Sequence, residues 1–220
     1  MHHPGRLMLY IVRIYGTINS IIAENIESLE TALKLLGARL DLAQASAIGL
    51  VVCGGSALIA LGLIKRTTRD VDILALMNSS GDLISPDPLP SYLLSAAKEV
   101  ARDLGLPDNW LNNGPSSDAG GIFQLGLPEG IASRLHARAY GDRLTVHFIG
   151  RLDQIHLKLY AAADSGEGTH LDDLLSLKPG DVELEIAARW AMTHDVSLGF
   201  RMILKDMLRQ IGYESVAKKI

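Results

Sequence analysis

Two short apolar runs, joined by a glycine pair and a polar stretch, lie early in the 220-residue chain. The first run, residues 50–53, has no polar face, which is typical of a buried strand. Gly54-Gly55 ends this run, and Ser56 is predicted to cap a short helix over residues 57–63. The second run, residues 70–76, alternates at its start as a strand buried on one face does. This segment therefore predicts a strand, a short helix and a second strand.

The rest of the chain changes from a mixed pattern to a purely helical one. Apolar residues that recur every three or four positions predict helices over residues 19–47 and 93–104. Residues 122–127 are a candidate strand, and the segments 134–140 and 143–149 alternate around Gly-Asp as a β-hairpin does. From there to the C-terminus, four apolar stripes predict helices only.

We therefore expect an α/β (α+β) domain over residues 20–150 and a helical subdomain over residues 151–220. Residues 1–19 form an N-terminal arm that the pattern leaves unassigned. Trp110 lies in a long polar loop, where a hydrophobic plug is the favoured interpretation over a ligand contact.

The composition is that of an ordinary globular protein. Hydrophobic residues make up 48% and charged residues 21% of the chain, which excludes a disordered or fibrous protein. The net charge of −4 gives no general attraction to nucleic acid, so there is no DNA-binding signal and any polyanion site must be local. The single cysteine, Cys53, allows no internal disulfide, and no apolar segment reaches the length of a membrane span. We expect a cytoplasmic protein with no targeting segment and no membrane partner.

Two carboxylates mark the second predicted strand. Asp70 and Asp72 are two residues apart, so on a strand both side chains project from the same face. Carboxylates held side by side repel each other when they are ionised, and a cation relieves this repulsion. Oxygen ligands suit Mg²⁺ or Mn²⁺, so the pair predicts a metal site.

The turn at Gly54-Gly55-Ser56 predicts a phosphate site. Glycines between a strand and a helix let backbone N–H groups approach an anion closely. Three basic residues follow in the polar stretch: Lys65, Arg66 and Arg69. Each feature alone is typical of a tight turn or a solvated strand edge, but together they are the parts required for phosphoryl or nucleotidyl transfer.

The order of these motifs resembles a known signature. Gly54-Gly55-Ser56, a spacer of 13 residues and Asp70-Val71-Asp72-Ile73 resemble the signature of the polymerase-beta-like nucleotidyltransferase superfamily. The segment is most similar to uncharacterised bacterial nucleotidyltransferase-like proteins related to the toxin arm of abortive-infection toxin–antitoxin systems. Residues 151–162 and 171–174 resemble the helical segment that follows the catalytic sheet in this family.

The resemblance implies a nucleotidyltransferase-like fold, in which helices flank a small mixed sheet and a helical subdomain follows. It implies metal-dependent transfer of a nucleotidyl group from a nucleoside triphosphate (NTP) to an unknown acceptor, which could be tRNA, a protein or a small molecule. Gly55 and Ser56 would hold the triphosphate, and Asp70 and Asp72 would bind two Mg²⁺ ions. Lys158 would contact phosphate or substrate. The same resemblance implies that Asp172 and Asp173 belong to the part of the helical subdomain that supports the cleft.

The sequence departs from the family pattern at one position. Active members place a third carboxylate on a later strand, and the corresponding segment here, residues 143–149, contains no Asp or Glu. His147 could take that place, or Asp142 or Asp153 could reach in from the ends. The competing hypothesis is a degenerate nucleotidyltransferase fold that binds a nucleotide, or a protein partner as in a toxin–antitoxin pair, without catalysing transfer.

Overall fold

The computed structural model describes residues 28–68, 70–166 and 168–220. The predicted N-terminal arm, the start of the first predicted helix and Arg69 lie outside the described residues. Helix α1 is described over residues 28–42. The other helices are α2 (Gly54–Ala60), α3 (Ser91–Leu104), α4 (Ile122–Leu125), α5 (Arg151–Ser165), α6 (Thr169–Ser176), α7 (Asp181–His194), α8 (Leu198–Gln210) and α9 (Glu214–Lys219). The strands are β1 (Ile48–Cys53), β2 (Val71–Met77), β3 (Leu83–Ile84), β4 (Leu111–Asn112), β5 (His136–Ala139) and β6 (Leu144–Phe148).

The strands form one mixed sheet in the order β3-β2-β1-β6-β5. The short strands β3 and β4 both pair with β2: β3 pairs with its C-terminal end and β4 with its N-terminal end. Strand β1 is antiparallel to β2 and parallel to β6. The mixed α/β architecture predicted from the sequence is therefore confirmed. The predicted hairpin is also confirmed, since β5 and β6 pair antiparallel.

Hydrophobic residues pack on both faces of the sheet. On one face, Leu33 and Leu36 of α1 and Leu93 of α3 cover Leu50 and Ile73 of the central strands. Trp110 lies in this core as the predicted plug, and its Nε1 donates a hydrogen bond to the Ala97 carbonyl at 2.9 Å. The core holds β1 and β2 side by side, so that the C-terminal end of β1 lies next to the N-terminal end of β2, where the predicted site residues are.

A second hydrophobic core joins the C-terminal helices to the sheet domain. Residues of α5, α7, α8 and α9 pack with Leu58 and Ile59 of α2 and with Ile64 just after it. Because α2 starts directly after β1, this packing holds α5 and α6 beside the Gly54-Gly55 turn. The domain boundary predicted at residue 150 stays a prediction.

Three local predictions are wrong. Residues 122–125 form helix α4 rather than a strand, because a short apolar run carries no clear period. The first helix ends at residue 42 rather than 47. Ser56 does not cap α2: the helix begins at Gly54, and the Ser56 hydroxyl donates to the Cys53 carbonyl from within the first turn. In the part of the chain that the structure describes, no helix is long and apolar enough to cross a membrane.

Candidate functional site

The turn after β1 brings the backbone against a carboxylate. Gly54 has a φ of 70°, which favours glycine, and a Cβ added there would lie 2.6 Å from Asp72 Oδ2. Any side chain at Gly54 would therefore strain the backbone and displace the Asp72 carboxylate. The glycine predicted as part of a phosphate turn is required for this close approach.

Asp72 lies on β2 directly opposite Cys53 and is half-buried. Its Oδ1 accepts a hydrogen bond from Asn112 Nδ2 at 3.2 Å, and Asn112 is its partner on the parallel strand β4. Burial raises the pKa of the Asp72 carboxyl, the charge of Asp70 raises it further, and the Asn112 hydrogen bond opposes part of that rise. A carboxylate with a raised pKa in a cleft is a candidate functional group.

Asp70 precedes β2 and is exposed, and it accepts a hydrogen bond from Thr68 Oγ1 at 2.7 Å. It lines a shallow depression beside Trp110, and Asp72 lines the main cleft described below. The charge of Asp70 contributes to the raised Asp72 pKa, but the two carboxylates line different depressions. The sequence prediction that both side chains project from one strand face applies to Asp72 only, because β2 begins at Val71.

A buried ion-pair cluster lies beside this turn. Asp173 Oδ2 is 2.8 Å from Lys158 Nζ and 2.8 Å from Arg66 Nη2, and Asp173 Oδ1 accepts from Arg66 Nε at 2.9 Å. The side chains of Asp173 and Lys158 are only 3% and 5% exposed. Burial by itself would raise the pKa of Asp173, but the hydrogen bonds from Arg66 and Lys158 outweigh it and hold the pKa below its ordinary value. One carboxylate thus fixes both cations in place.

Arg66 lies directly on the glycine turn. A Cβ added to Gly55 would meet Arg66 Nη2 at 2.8 Å and Thr68 Oγ1 at 3.1 Å. The absence of a side chain at Gly55 is therefore what allows the guanidinium to approach the backbone. This contact joins the two parts that the sequence proposed as a phosphate site.

A cleft of about 100 Å³ opens where these groups meet. It lies between the end of β1, strand β2 and helix α5, and its walls combine apolar side chains with a few polar groups. The lining residues are Cys53, Gly54, Asp72, Pro115, Ile122, Gln154, Leu157, Lys158, Ala161 and His170. The structure therefore brings together three of the predicted site residues, Gly54, Asp72 and Lys158, in one cleft, with Arg66 bound to the same Asp173 as Lys158.

Other predicted site residues lie elsewhere. The Ser56 side chain is fully buried, and its hydroxyl is 3.3 Å from the Cys53 carbonyl oxygen. Lys65 is exposed on the connection between α2 and β2 and does not line the cleft. Any role of Ser56 in phosphate binding is thus limited to its backbone in this arrangement.

None of the three candidates for a third acid lies in the cleft. His147 lines a separate depression of about 230 Å³ beside Gly49, together with Asp142, and burial lowers the pKa of the His147 imidazole. Asp153 is fully buried and accepts two hydrogen bonds from Arg134, at 2.6 and 3.1 Å. Within the described ranges, no group of three or more His, Cys, Asp or Glu side chains is arranged to hold a metal ion.

The sequence interpretation missed three polar residues of the site: Asn112, Gln154 and His170, of which Gln154 and His170 line the cleft. Asn112 is on a strand of only two residues, whose partner no periodicity could reveal. Because Asn112 comes shortly before Gly114-Pro115, the sequence indicates a turn there, but it does not indicate the contact with Asp72. Gln154 lies on α5 among apolar neighbours, and only the packing shows that it is fully buried against the turn.

No protein-family model, no curated protein and no solved structure matches this chain. The resemblance to nucleotidyltransferases therefore depends on the motifs themselves. The functional proposal below is built on the contacts of the cleft residues.

Proposed function

We propose that this protein is a metal-dependent nucleotidyltransferase that moves a nucleotidyl group from an NTP to an acceptor. The observation that carries the proposal is the meeting of three elements at one cleft. The glycine turn touches Asp72, the Arg66 guanidinium lies on Gly55, and Asp173 ties Arg66 to Lys158. The sequence motif alone did not require these groups to be neighbours.

The cation cluster retains hydrogen-bond donors for phosphate. A guanidinium has five N–H donors, and Arg66 uses two on Asp173 and one on the Thr67 carbonyl. Lys158 has three donors, of which Asp173 takes one. Within the cluster, two cations against one carboxylate leave one positive charge, which faces the Asp72 carboxylate at the turn. A divalent cation on the carboxylates would supply the remaining positive charge that favours a triphosphate.

The carboxylates fit a Mg²⁺ or Mn²⁺ ion that is shared with phosphate oxygens. Asp70 and Asp72 offer hard oxygen donors, and their mutual repulsion is the charge imbalance that a cation relieves. When bound, such an ion would neutralise phosphate charge and polarise the α-phosphorus. Asp70 and Asp72 would hold such an ion and through it the nucleotide, and Arg66 and Lys158 would bind the triphosphate beside the acceptor hydroxyl.

A second function, binding of a metal–NTP complex without transfer, is favoured by one specific observation. The group beside Asp72 on the neighbouring strand is the Asn112 amide, which donates a hydrogen bond rather than offering a carboxylate. Among the described residues that line the cleft, Asp72 is then the only carboxylate, and the His170 imidazole is the other group that could act as a base for the acceptor hydroxyl. In this second function the protein binds the metal–NTP complex but does not transfer the nucleotidyl group efficiently.

Two measurements test the proposal. Calorimetric titration with ATP, GTP, CTP and UTP, each with and without Mg²⁺, should show magnesium-dependent binding that Asp72→Asn removes. Asp142→Asn is the matched control, because Asp142 is exposed and lies outside the cleft. Absence of NTP binding to the wild type would overturn both functions.

Transfer is measured separately, by incubating the protein with α-³²P-labelled and γ-³²P-labelled NTPs and with cellular RNA or protein. Label that moves from the α position but not from the γ position supports nucleotidyl transfer. Magnesium-dependent binding with no transferred label would support the binding function instead.

A further inference from the structure

Gln154 is a buried polar side chain in the wall of the cleft. It lies on α5, is fully buried, and its Nε2 donates to the Gly54 carbonyl at 3.4 Å. Its Oε1 is buried and has no hydrogen-bond partner. The amide is thus tied to the glycine turn by one end and is unsatisfied at the other.

This unsatisfied acceptor is exceptional in the described part of the chain. Only two buried side-chain atoms there have no partner, Gln154 Oε1 and Arg39 Nε. Arg39 already makes ion pairs with Glu99 and Asp103 on the surface, away from the cleft. A buried acceptor without a donor raises the free energy of the folded protein. A ligand that donates a hydrogen bond to Gln154 Oε1 would remove this cost.

Besides the Asp72 carboxylate and the His170 ring, the cleft wall around Gln154 is largely apolar. Pro115, Ile122, Leu157 and Ala161 form the apolar part of the cleft wall. The hydrogen bond to Gly54 places the amide next to the turn whose backbone touches Asp72. The terminal torsion of a glutamine side chain is broad, so rotation about it can turn Oε1 toward a ligand at the expense of the long hydrogen bond to Gly54.

We propose that Gln154 is a specificity-determining residue that accepts a hydrogen bond from a donor on the nucleotide. The inference rests on the proposed function. The recognised chemistry is one O–H or N–H donor in a largely apolar surrounding, supplied either by a ribose hydroxyl or by an exocyclic amino group of the base. A nucleotide without that donor would leave Oε1 unsatisfied and would bind more weakly.

The experiment is a double-mutant cycle between protein and ligand. Dissociation constants are measured with Mg²⁺ for ATP, 2′-deoxyATP, 3′-deoxyATP and purine riboside triphosphate, which lacks the amino group. The proteins are the wild type, Gln154→Met and Gln154→Leu, with Leu159→Met as a matched control on the same helix, outside the cleft lining. Met and Leu keep apolar volume and remove the acceptor, and circular dichroism verifies that each variant is folded.

The wild type should lose about tenfold in affinity for one of the analogues, the typical size of one hydrogen bond. In Gln154→Met or Gln154→Leu, that analogue and ATP should bind equally well. The Leu159→Met control should keep the wild-type discrimination. Which analogue loses affinity identifies the donor as a ribose hydroxyl or a base amino group.

Two results would overturn the inference while leaving the proposed function intact. One is a wild type that binds all four nucleotides within about twofold of each other, well below the effect of one hydrogen bond. The other is a Gln154 variant that binds all four more weakly by the same factor, which is the behaviour of a structural residue or of one satisfied by water. The comparison of the four nucleotides uses the wild type only, so the inference can be contradicted even if the Gln154→Met protein does not fold. If the wild type binds no nucleotide, both the inference and the proposed function are wrong.

Discussion

Asp72 and Asn112 occupy paired positions on β2 and β4, and Asn112 Nδ2 donates a hydrogen bond to Asp72 Oδ1 at 3.2 Å. Cys53 on β1 lies opposite Asp72 on the other side, so the polar partner of its carboxylate on a neighbouring strand is an amide. A carboxylate at position 112 would stand beside Asp72 and would supply a further oxygen ligand for a divalent cation. The third acid that the sequence interpretation expected at residues 143–149 or at their ends stays a prediction.

We expect Asn112→Asp to tighten Mg²⁺ binding in the presence of NTP by about tenfold, because ligand charge count governs affinity for hard cations. Without Mg²⁺ the same variant should melt at a lower temperature than the wild type, since two carboxylates then repel each other. Calorimetry and thermal unfolding with and without Mg²⁺ measure the two effects. Asn113→Asp is the control, because Asn113 donates to the Pro86 carbonyl instead. Equal Mg²⁺ affinity in both variants and the wild type would contradict a metal site at Asp72.

Asp173→Asn should destabilise the protein by about 3 kcal/mol. Lys158 is buried and would lose its charged partner, and breaking a buried ion pair leaves an uncompensated charge. Urea unfolding followed by circular dichroism measures the loss. The neighbouring Asp172 is exposed, so Asp172→Asn should change stability by less than about 0.5 kcal/mol. Similar losses in the two variants would show that the Lys158–Asp173 pair does not stabilise the fold.

Asp72→Asn should stabilise the metal-free protein at pH 7. The pKa of Asp72 is raised above its ordinary value of 3.8 by burial and by Asp70, so ionisation in the folded state costs more than in the unfolded state. This cost is absent below the unfolded pKa and is complete once the pH exceeds the folded pKa. The stability difference between Asp72→Asn and the wild type should therefore shrink toward zero as the pH falls below about 3.8.

Urea unfolding from pH 7 to pH 3 without divalent ions tests whether Asp72→Asn is more stable than the wild type. Asp142→Asn is the exposed control. Mg²⁺ together with NTP should then stabilise the wild type and not the variant, because only the ligand-binding protein gains free energy from the ligand. A variant that is less stable than the wild type at pH 7 would contradict the prediction.

Gly55→Ala should weaken NTP binding and should have a smaller effect on the stability of the folded protein. The φ of Gly55 lies outside the left-handed region, so the added Cβ acts mainly by pushing Arg66 Nη2, which would otherwise lie 2.8 Å away. Arg66 can shift only by weakening its bonds to Asp173. We expect about a tenfold rise in the NTP dissociation constant, the effect of one charge-assisted hydrogen bond.

Gly120→Ala provides the control for Gly55→Ala, because nothing lies within 4 Å of a Cβ at Gly120. Titration calorimetry compares the two variants, and thermal unfolding verifies that both fold. If both bind NTP as the wild type does, the glycine turn is not a phosphate site.

The local parts of this fold could be read from the sequence. The apolar run that ends at Gly54 and the alternation that starts at Asp70 encode β1 and β2, since short-range periodicity reports which residues can be buried. The β5–β6 hairpin and the helical C-terminal part followed from the same kind of signal. The segment 122–127, in which Gln124 and Gly126 interrupt the apolar residues, has no such period, and there the sequence prediction of a strand was wrong.

Contacts between distant segments were decided by the tertiary structure alone. Arg66 and Asp173 are 107 positions apart, and their pairing depends on how α2 and α6 pack around one core. The sequence could nominate Arg66 and Lys158 as phosphate contacts, but not the carboxylate that holds both. Asn112 likewise reaches Asp72 only because a two-residue strand joins the edge of β2. Sequence periodicity determines which face of an element is buried, whereas the identity of the neighbour on that face is set by packing across the whole chain.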